Sequence, residues 1–402
     1  MILRGPLARY SNSSGRPINK PRRKRATCHP RQRSDVCTEP PVERPISTSR
    51  PVLATVDATA LRHNARRVRQ FAPGCRIYAA IKANGYGHGA HAVARILVDD
   101  VDGLAVIEVE VAAAIRRDGF TGPIMVLEGL YEPADLDAFV AFDLEAVVHC
   151  AEQVDWVSQY CGRPLRVWLK VDTGMNRLGL PAAQIMAALV RLTSNPDITL
   201  CGVMSHLANV DDRDSVAQQI FRFEALHIPP TLPRSLASSG AVMKYPAAHM
   251  DWVRPGLMLY GVSPLSGSTG MDWGLRPVMT FRSRVISLRQ IMPGEAIGYG
   301  GTYIATRPMR VANVAGGYAD GYPQSAPAGT PILVDGVLTR TVGRVSMDKL
   351  CVDVSGITTV HVGSEVIFWG PQLPIERVAQ ATNSSSYELL THIANRVRVE
   401  TV

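Results

Sequence analysis

Lys82 closes an apolar run, Ile77 to Ile81, and is followed by Ala83-Asn84-Gly85-Tyr86-Gly87-His88-Gly89. A short apolar run bounded by glycines reads as a buried parallel strand. An ammonium at its end is costly to desolvate and loses its proton readily. Those properties suit a Schiff-base nucleophile and a proton base. The glycines let the chain turn sharply beside it. A lysine that merely snorkels at a strand end is the alternative, and spacing alone leaves both open.

Other stretches carry residues of chemical interest. Trp168-Leu169-Lys170-Val171-Asp172-Thr173-Gly174-Met175-Asn176-Arg177 places two cations around an aspartate, and His206 sits in Met204-Ser205-His206-Leu207-Ala208. Ser238-Ser239-Gly240 precedes a helix pattern, and Arg254-Pro255-Gly256-Leu257 supplies a glycine turn. A helix start with serines is anion-friendly, although by itself Ser-Ser-Gly reads as an ordinary cap. Tyrosines cluster in Ile297-Gly298-Tyr299-Gly300-Gly301-Thr302-Tyr303 and in Gly317-Tyr318-Ala319-Asp320-Gly321-Tyr322-Pro323.

The elements that position these residues change character along the chain. From Val52 to about Tyr260, strand-like and helix-like segments alternate. Strands are expected at Ile77–Ala83, Gly103–Ile107, Ile124–Leu127, Ala146–His149, Arg166–Val171, Leu200–Ser205 and Ser235–Ala237, with helices between them. This rhythm predicts a parallel sheet, most simply a closed (β/α)8 barrel over 51–261, with its chemistry at the C-terminal strand ends. Lys82, Lys170, Asp172, His206 and Ser238/Ser239 fall there. From about Leu265 short β-branched segments divided by Gly, Pro or Asp predict a mostly antiparallel β domain over 262–402. The fold class is therefore α/β, with an N-terminal barrel and a C-terminal β domain.

Residues 1–50 hold 12 Lys/Arg against 3 Asp/Glu, within a chain of net charge +8. The remainder is close to neutral, so nothing global argues for nucleic acid. The tail lacks hydrophobic periodicity and an apolar signal core, and reads as a disordered basic extension. No methionine occurs between Met1 and Met125. A gene-model artefact, with the natural start near residue 50, is the expectation, and N-terminal mass analysis of the native protein tests it. Nucleic-acid binding through the tail is a weaker alternative, because aromatic residues do not interleave its basic run beyond Tyr10. Seven cysteines without C-x-x-C argue against a disulfide framework or a zinc site and fit a reducing cytosol.

From about Val52 to the C-terminus these motifs resemble the alanine racemase family. The Lys82 stretch is similar to the family's K-A-N-A-Y-G-H-G, with only Gly85 departing. The resemblance implies pyridoxal 5'-phosphate (PLP) held as an imine on Lys82. It implies phosphate contacts from Tyr86, Ser239, Gly256, Leu257 and Tyr387. Ser238 stands where the family commonly has asparagine. Arg254 would face the ring nitrogen. An always-charged guanidinium cannot accept the ring proton, so the ring stays neutral and reprotonation at Cα is favoured over transamination. Arg177 would bond the ring's phenolic oxygen, and Lys170 is a position often carbamylated.

Racemisation needs a base on each face of a planar carbanion. The resemblance assigns Lys82 to one face and Tyr299 to the other, with a relay from Tyr299 through His206 to Arg254. A tyrosine ordinarily titrates near about 10, and neighbouring positive charge favours its phenolate. Tyr299 would reach the site of a second chain, implying a homodimer with shared active sites. Tyr318, Met347 and Tyr387 would narrow the entry and contact the substrate carboxylate, with Arg177 also binding substrate. Asp211 and Arg344 would line an outer channel, and Gln324 stands where the family often has arginine.

The implied activity is interconversion of L-alanine and D-alanine on a substrate–cofactor imine, supplying D-alanine for peptidoglycan or serving alanine catabolism. The implied setting is cytoplasmic, with neither membrane nor nucleic acid as partner and no metal. A broad-specificity racemase or a decarboxylase on the same architecture is the alternative among PLP enzymes. Arg254 and the Gly298-Tyr299-Gly300-Gly301 stretch argue against the decarboxylase. A non-catalytic PLP carrier would leave residues 262–402 unexplained.

Overall fold

The computed structural model describes residues 49–402. The basic stretch expected to be disordered lies outside these residues, except for its last two. Strand β1 (Leu53–Val56) stands apart from the barrel. β2 (Arg76–Ala80), β3 (Gly103–Val106), β4 (Ile124–Val126), β5 (Glu145–Val148), β6 (Leu165–Lys170), β7 (Ile198–Met204), β8 (Arg234–Ser238) and β9 (Trp252–Arg254) close in order into a barrel. Every neighbouring pair is parallel, and β2 closes the ring on β9.

Period-two alternation decides what faces inward. In β6, Leu165, Val167 and Leu169 pack against the surrounding helices. Arg166, Trp168 and Lys170 take the other face. Trp168 joins Tyr78, Ala105, Met125, Val147, Met204 and Trp252 in a separate cluster that fills the barrel. Below it lies Glu145, which accepts from Tyr78 Oη at 2.5 Å, Trp168 Nε1 at 2.9 Å and Arg166 Nη2 at 2.6 Å. A buried carboxylate is tolerated because those donors satisfy it. The floor is thus polar but closed, and Lys170 emerges one pleat above Trp168 at the open mouth.

Three elements depart from the sequence reading. β9 was read only as the approach to a glycine turn; three residues before Pro255 are too few to show a period. Helix α1 (Ala58–Phe71) was not foreseen, although Asp57 caps it by accepting from Ala60 N at 2.9 Å and Leu61, Ala65 and Val68 form its buried stripe. The strand expected over Ile77–Ala83 ends at Ala80. Beyond it Ala83, Asn84, Gly85 and Tyr86 all adopt left-handed backbone angles, with φ of 51°, 52°, 63° and 51°.

The second sheet runs in the order Met309–Ala315, Lys349–Asp353, Val337–Val342, Pro331–Val334, Glu365–Trp369, β10 (Met279–Ile291), β1 and Arg398–Thr401. β1 pairs antiparallel with β10, so this strand belongs to the second sheet and not to the barrel expected over 51–261. The unforeseen last strand, Arg398–Thr401, pairs parallel with β1. Outside this sheet, Ala296–Ile297 and Tyr303–Ile304 form a small hairpin whose tip is Tyr299–Gly301.

Candidate active site

The left-handed turn after β2 presents Lys82. Such angles cost roughly 1–2 kcal/mol at each non-glycine residue and persist only where surrounding structure holds them. Here Gly85 N–H donates to Ile81 O at 2.8 Å, Gly89 N–H to Asn84 O at 2.8 Å, and Ala90 N–H to Asn84 Oδ1 at 3.0 Å. His88 is buried and stacked 4.5 Å from the Tyr260 ring. Its Nδ1 faces Tyr86 O at 2.8 Å and Gly85 O at 3.1 Å, so that nitrogen carries the proton and donates. Burial holds the His88 pKa down at about 4, so the imidazole is neutral. Sequence reading placed His88 in the motif but gave it no task. Gly85, the one departure from the family pattern, sits at a φ that glycine adopts without penalty.

Above the barrel's filled interior opens a cavity of about 650 Å³. Among the residues that line it are Lys82, Tyr86, Lys170, Arg177, His206 and Arg254, together with Ser239, Gly256, Leu257 and Tyr387. The alternation that sends Trp168 inward sends Lys170 inward too. Met204 and His206 are related in the same way, as are Trp252 and Arg254. Arg254 is buried, donating to Ser205 O at 2.5 Å, Leu236 O at 3.4 Å and Ser235 Oγ. Burial lowers its pKa to about 10, which still leaves it charged at neutral pH. Asp172 Oδ1 accepts from the N–H groups of Gly174, Met175 and Asn176 at 2.8, 3.0 and 3.1 Å. That turn shapes the loop carrying Arg177.

Burial first, then nearby cations, weakens the basicity of the lysines. Lys82 is shifted down by desolvation and by Arg177. Lys170 falls to about 8 through desolvation, then Arg254, Arg177 and Lys82. His206 falls to about 3 by desolvation and the same cations, so it is neutral across the working range. Glu128 is the one carboxylate on this lining, against four cations. Sequence reading missed it, because Glu128 lies past the end of β4 with no motif around it. Its hydroxyl partner is Tyr131, at 2.5 Å.

A cup forms where three elements meet. Ser239 Oγ accepts from Gly256 N–H at 2.8 Å and Met258 N–H at 3.2 Å. Tyr86 stacks on Tyr260 with centroids 4.8 Å apart, and a Cβ at Gly256 would lie 2.4 Å from Tyr86 Oη. The glycine is therefore a matter of space. Replacing Gly256 by Ala is expected to displace Tyr86; over-packing of this kind costs about 1–3 kcal/mol, which would weaken cofactor affinity by about 5- to 150-fold if it fell on the bound state. Titrating apoenzyme with PLP measures it, and unchanged affinity would remove the cup from the cofactor's contacts.

Tyr299, Met347 and Tyr318 are not on the cavity lining. Tyr299 is 72% exposed at its hairpin tip, Met347 is 52% exposed and Tyr318 is 36% exposed. Arg344 is also exposed, and Asp211 accepts from Ser266 Oγ at 2.6 Å.

The cation-rich cavity and its glycine-and-hydroxyl cup suit an anionic ring compound, and PLP, with a phosphate on one edge and an aldehyde on another, fits that donor set. Fold and site together define a PLP-dependent barrel enzyme. Two family models, "Alanine racemase, N-terminal domain" and "Alanine racemase, C-terminal domain", match residues 56–264 and 278–401. An alanine racemase of Nitrosomonas eutropha is 45% identical over 355 residues, 87% of this chain and 98% of that protein. The crystal structure of the biosynthetic alanine racemase from Pseudomonas aeruginosa superposes with a TM-score of 0.85 at 43% identity, covering 88% of this chain and 99% of that one. The alanine racemase structure from Acinetobacter baumannii gives 0.83 at 34% identity, covering 88% and 100%. The chain belongs to the alanine racemase family.

Proposed function

We propose that this protein interconverts L-alanine and D-alanine as a homodimer whose two sites are each built from both chains. The observation that carries the reading is Arg254, a buried guanidinium on the cavity wall where a carboxylate would promote other PLP chemistry. Bound PLP supplies an electrophilic carbon for the amine and a ring that makes the Cα proton acidic.

Lys82, with its basicity lowered by burial and by Arg177, holds or releases a proton on one face of that carbon. Tyr86, Ser239, Gly256, Leu257 and Tyr387 would hold the phosphate, and Arg177 the phenolic oxygen. Arg254 would face the ring nitrogen and, being unable to accept its proton, would leave it unprotonated, which would limit charge spreading and favour return of the proton to Cα. Neutral His206, on the same cavity lining, would pass a proton at its ring nitrogens. Tyr299 supports the dimer reading because its hydroxyl, exposed on its own chain, is free to serve the opposite face in the partner subunit. Tyr318 and Met347 would meet the substrate carboxylate there. Among the described residues no helix is long and apolar enough to cross a membrane, and we place the enzyme in the cytoplasm.

The test is L-alanine with the PLP-loaded enzyme in deuterated water, read by chiral chromatography and mass. D-alanine labelled at Cα is expected. Label without inversion would remove the Tyr299 half of the mechanism, and neither label nor inversion would remove alanine as substrate.

Lys170 is the candidate for carbamylation. Only the neutral amine adds carbon dioxide, and a pKa of about 8 makes that form available near neutrality. The product would be an anion among Arg254, Arg177 and Lys82, relieving their mutual repulsion. Intact mass after mild purification in bicarbonate is expected to show the added carboxyl, lost in Lys170→Ala. In the unmodified enzyme the folded state binds fewer protons at Lys170 than the unfolded chain does between about 8 and the ordinary lysine value near 10.5. This group therefore favours the fold increasingly as pH rises through that window.

A further inference from the structure

Tyr318 and Met347 stand on two segments that are laced together. Tyr318 N–H donates to Ser346 O at 3.1 Å, Ala319 N–H to Met347 O at 3.0 Å and Gly316 N–H to Asp348 O at 2.9 Å. At Gly317 a Cβ would fall 2.1 Å from Ser346 O and 2.5 Å from Met347 O, so the approach requires glycine. The two segments make one lip, and each places a carboxylate behind its exposed side chain.

Asp320 is only 1% exposed. Its Oδ2 accepts from Gly317 N–H at 3.0 Å and from Arg50 Nη2 at 2.8 Å, and its Oδ1 accepts from Arg396 Nε at 2.8 Å. Arg396 also donates through Nη2 to Asp348 Oδ1 at 2.8 Å, and Arg50 donates to Asp348 O at 3.3 Å. Two arginines from opposite ends of the described chain thus each bridge both halves of the lip. A planar guanidinium can span two acceptors in fixed directions, which a lysine cannot. A buried carboxylate with one arginine would be satisfied; the second arginine and the bridging of Asp348 go beyond what burial of Asp320 demands.

We propose that Arg50, Asp320, Asp348 and Arg396 form a positioning clamp that fixes the Tyr318–Met347 lip for substrate binding in the partner subunit. The proposal rests on the reading of Tyr318 and Met347 as substrate contacts. The clamp touches neither proton-transfer group, so its loss acts on capture of the substrate carboxylate, a feature common to both enantiomers. It leaves the transfer of the proton alone.

The experiment measures kcat and KM in both directions for Arg396→Met, Arg396→Lys, Arg50→Met and Tyr318→Ala in the PLP-loaded enzyme. Arg396→Met is expected to raise KM about tenfold for L- and D-alanine alike, with kcat within about twofold and PLP affinity unchanged. Arg396→Lys, which keeps charge but loses the fork, is expected to fall between. Arg50→Met removes the other bridge and serves if Arg396→Met fails to fold. A lowered melting temperature with unchanged KM in the arginine variants, while Tyr318→Ala raises KM, would overturn the clamp and leave the lip reading standing. Unchanged KM in Tyr318→Ala would overturn the lip reading, and the clamp with it.

Discussion

Co-expressed Lys82→Ala and Tyr299→Phe chains, each unable to racemise alone, are expected to recover about a quarter of native activity when mixed equally in dimers. Random pairing makes half the dimers hybrid. In the proposed two-fold dimer each site would take Lys82 from one chain and Tyr299 from the other, so a hybrid would have one intact site and one doubly defective site. The physical basis is the placement of the two groups. Lys82 lines the cavity, whereas Tyr299 is 72% exposed at a hairpin tip on the β domain. The measurement is racemase activity of the co-expressed mixture, and hybrids isolated from it by differential tags are expected to show about half of native activity. Hybrids with no activity would mean that both bases act within one chain, and activity in the Tyr299→Phe chain by itself would mean that Tyr299 is not a base.

The second large effect is expected on Lys82→Ala itself. Removing a group proposed to act both as covalent anchor and as proton base should lower racemisation by at least roughly 10⁴-fold, since proton transfer alone contributes about 10²–10⁴. The variant should also fail to retain PLP after borohydride reduction, which the native chain should do. Tyr299→Phe should differ in kind. It should keep PLP and keep exchange of the Cα proton for one enantiomer while losing it for the other. Activity of Lys82→Ala within tenfold of native would remove Lys82 from its role. Symmetric exchange loss in Tyr299→Phe would remove the two-face assignment.

Much of this architecture was legible along the chain because strand alternation is a local property. The seven strand candidates fall on β2 to β8, since each carries an apolar run between turn residues. β9 escaped because Trp252-Val253-Arg254 is too short to display a period. Helix α1 escaped although its cap and stripe were present. Arg398–Thr401 carries no apolar signal, as it lies exposed at the sheet edge beside β1. The left-handed turn after Lys82 was half legible: glycines announced a bend, but Ala83, Asn84 and Tyr86 take positive φ in a turn held by backbone hydrogen bonds, His88 and the Asn84 side chain.

The order of residues by itself determined the family, the rhythm of strands β2 to β8 with Lys170 at a strand end, and the short motifs on which the site reading rests. These follow from neighbours in the chain and need no knowledge of distance. Tertiary structure decided which groups share a cavity and at what charge. Lys170 is driven to a pKa of about 8 by burial and by Arg254, Arg177 and Lys82, which come from separate loops and strands. Folding likewise left Tyr299, Tyr318 and Met347 off the lining of their own chain's cavity, and it brought Arg50 and Arg396 together on Asp320. Desolvation and Coulomb interaction depend on separation in space, and a linear sequence does not record that separation.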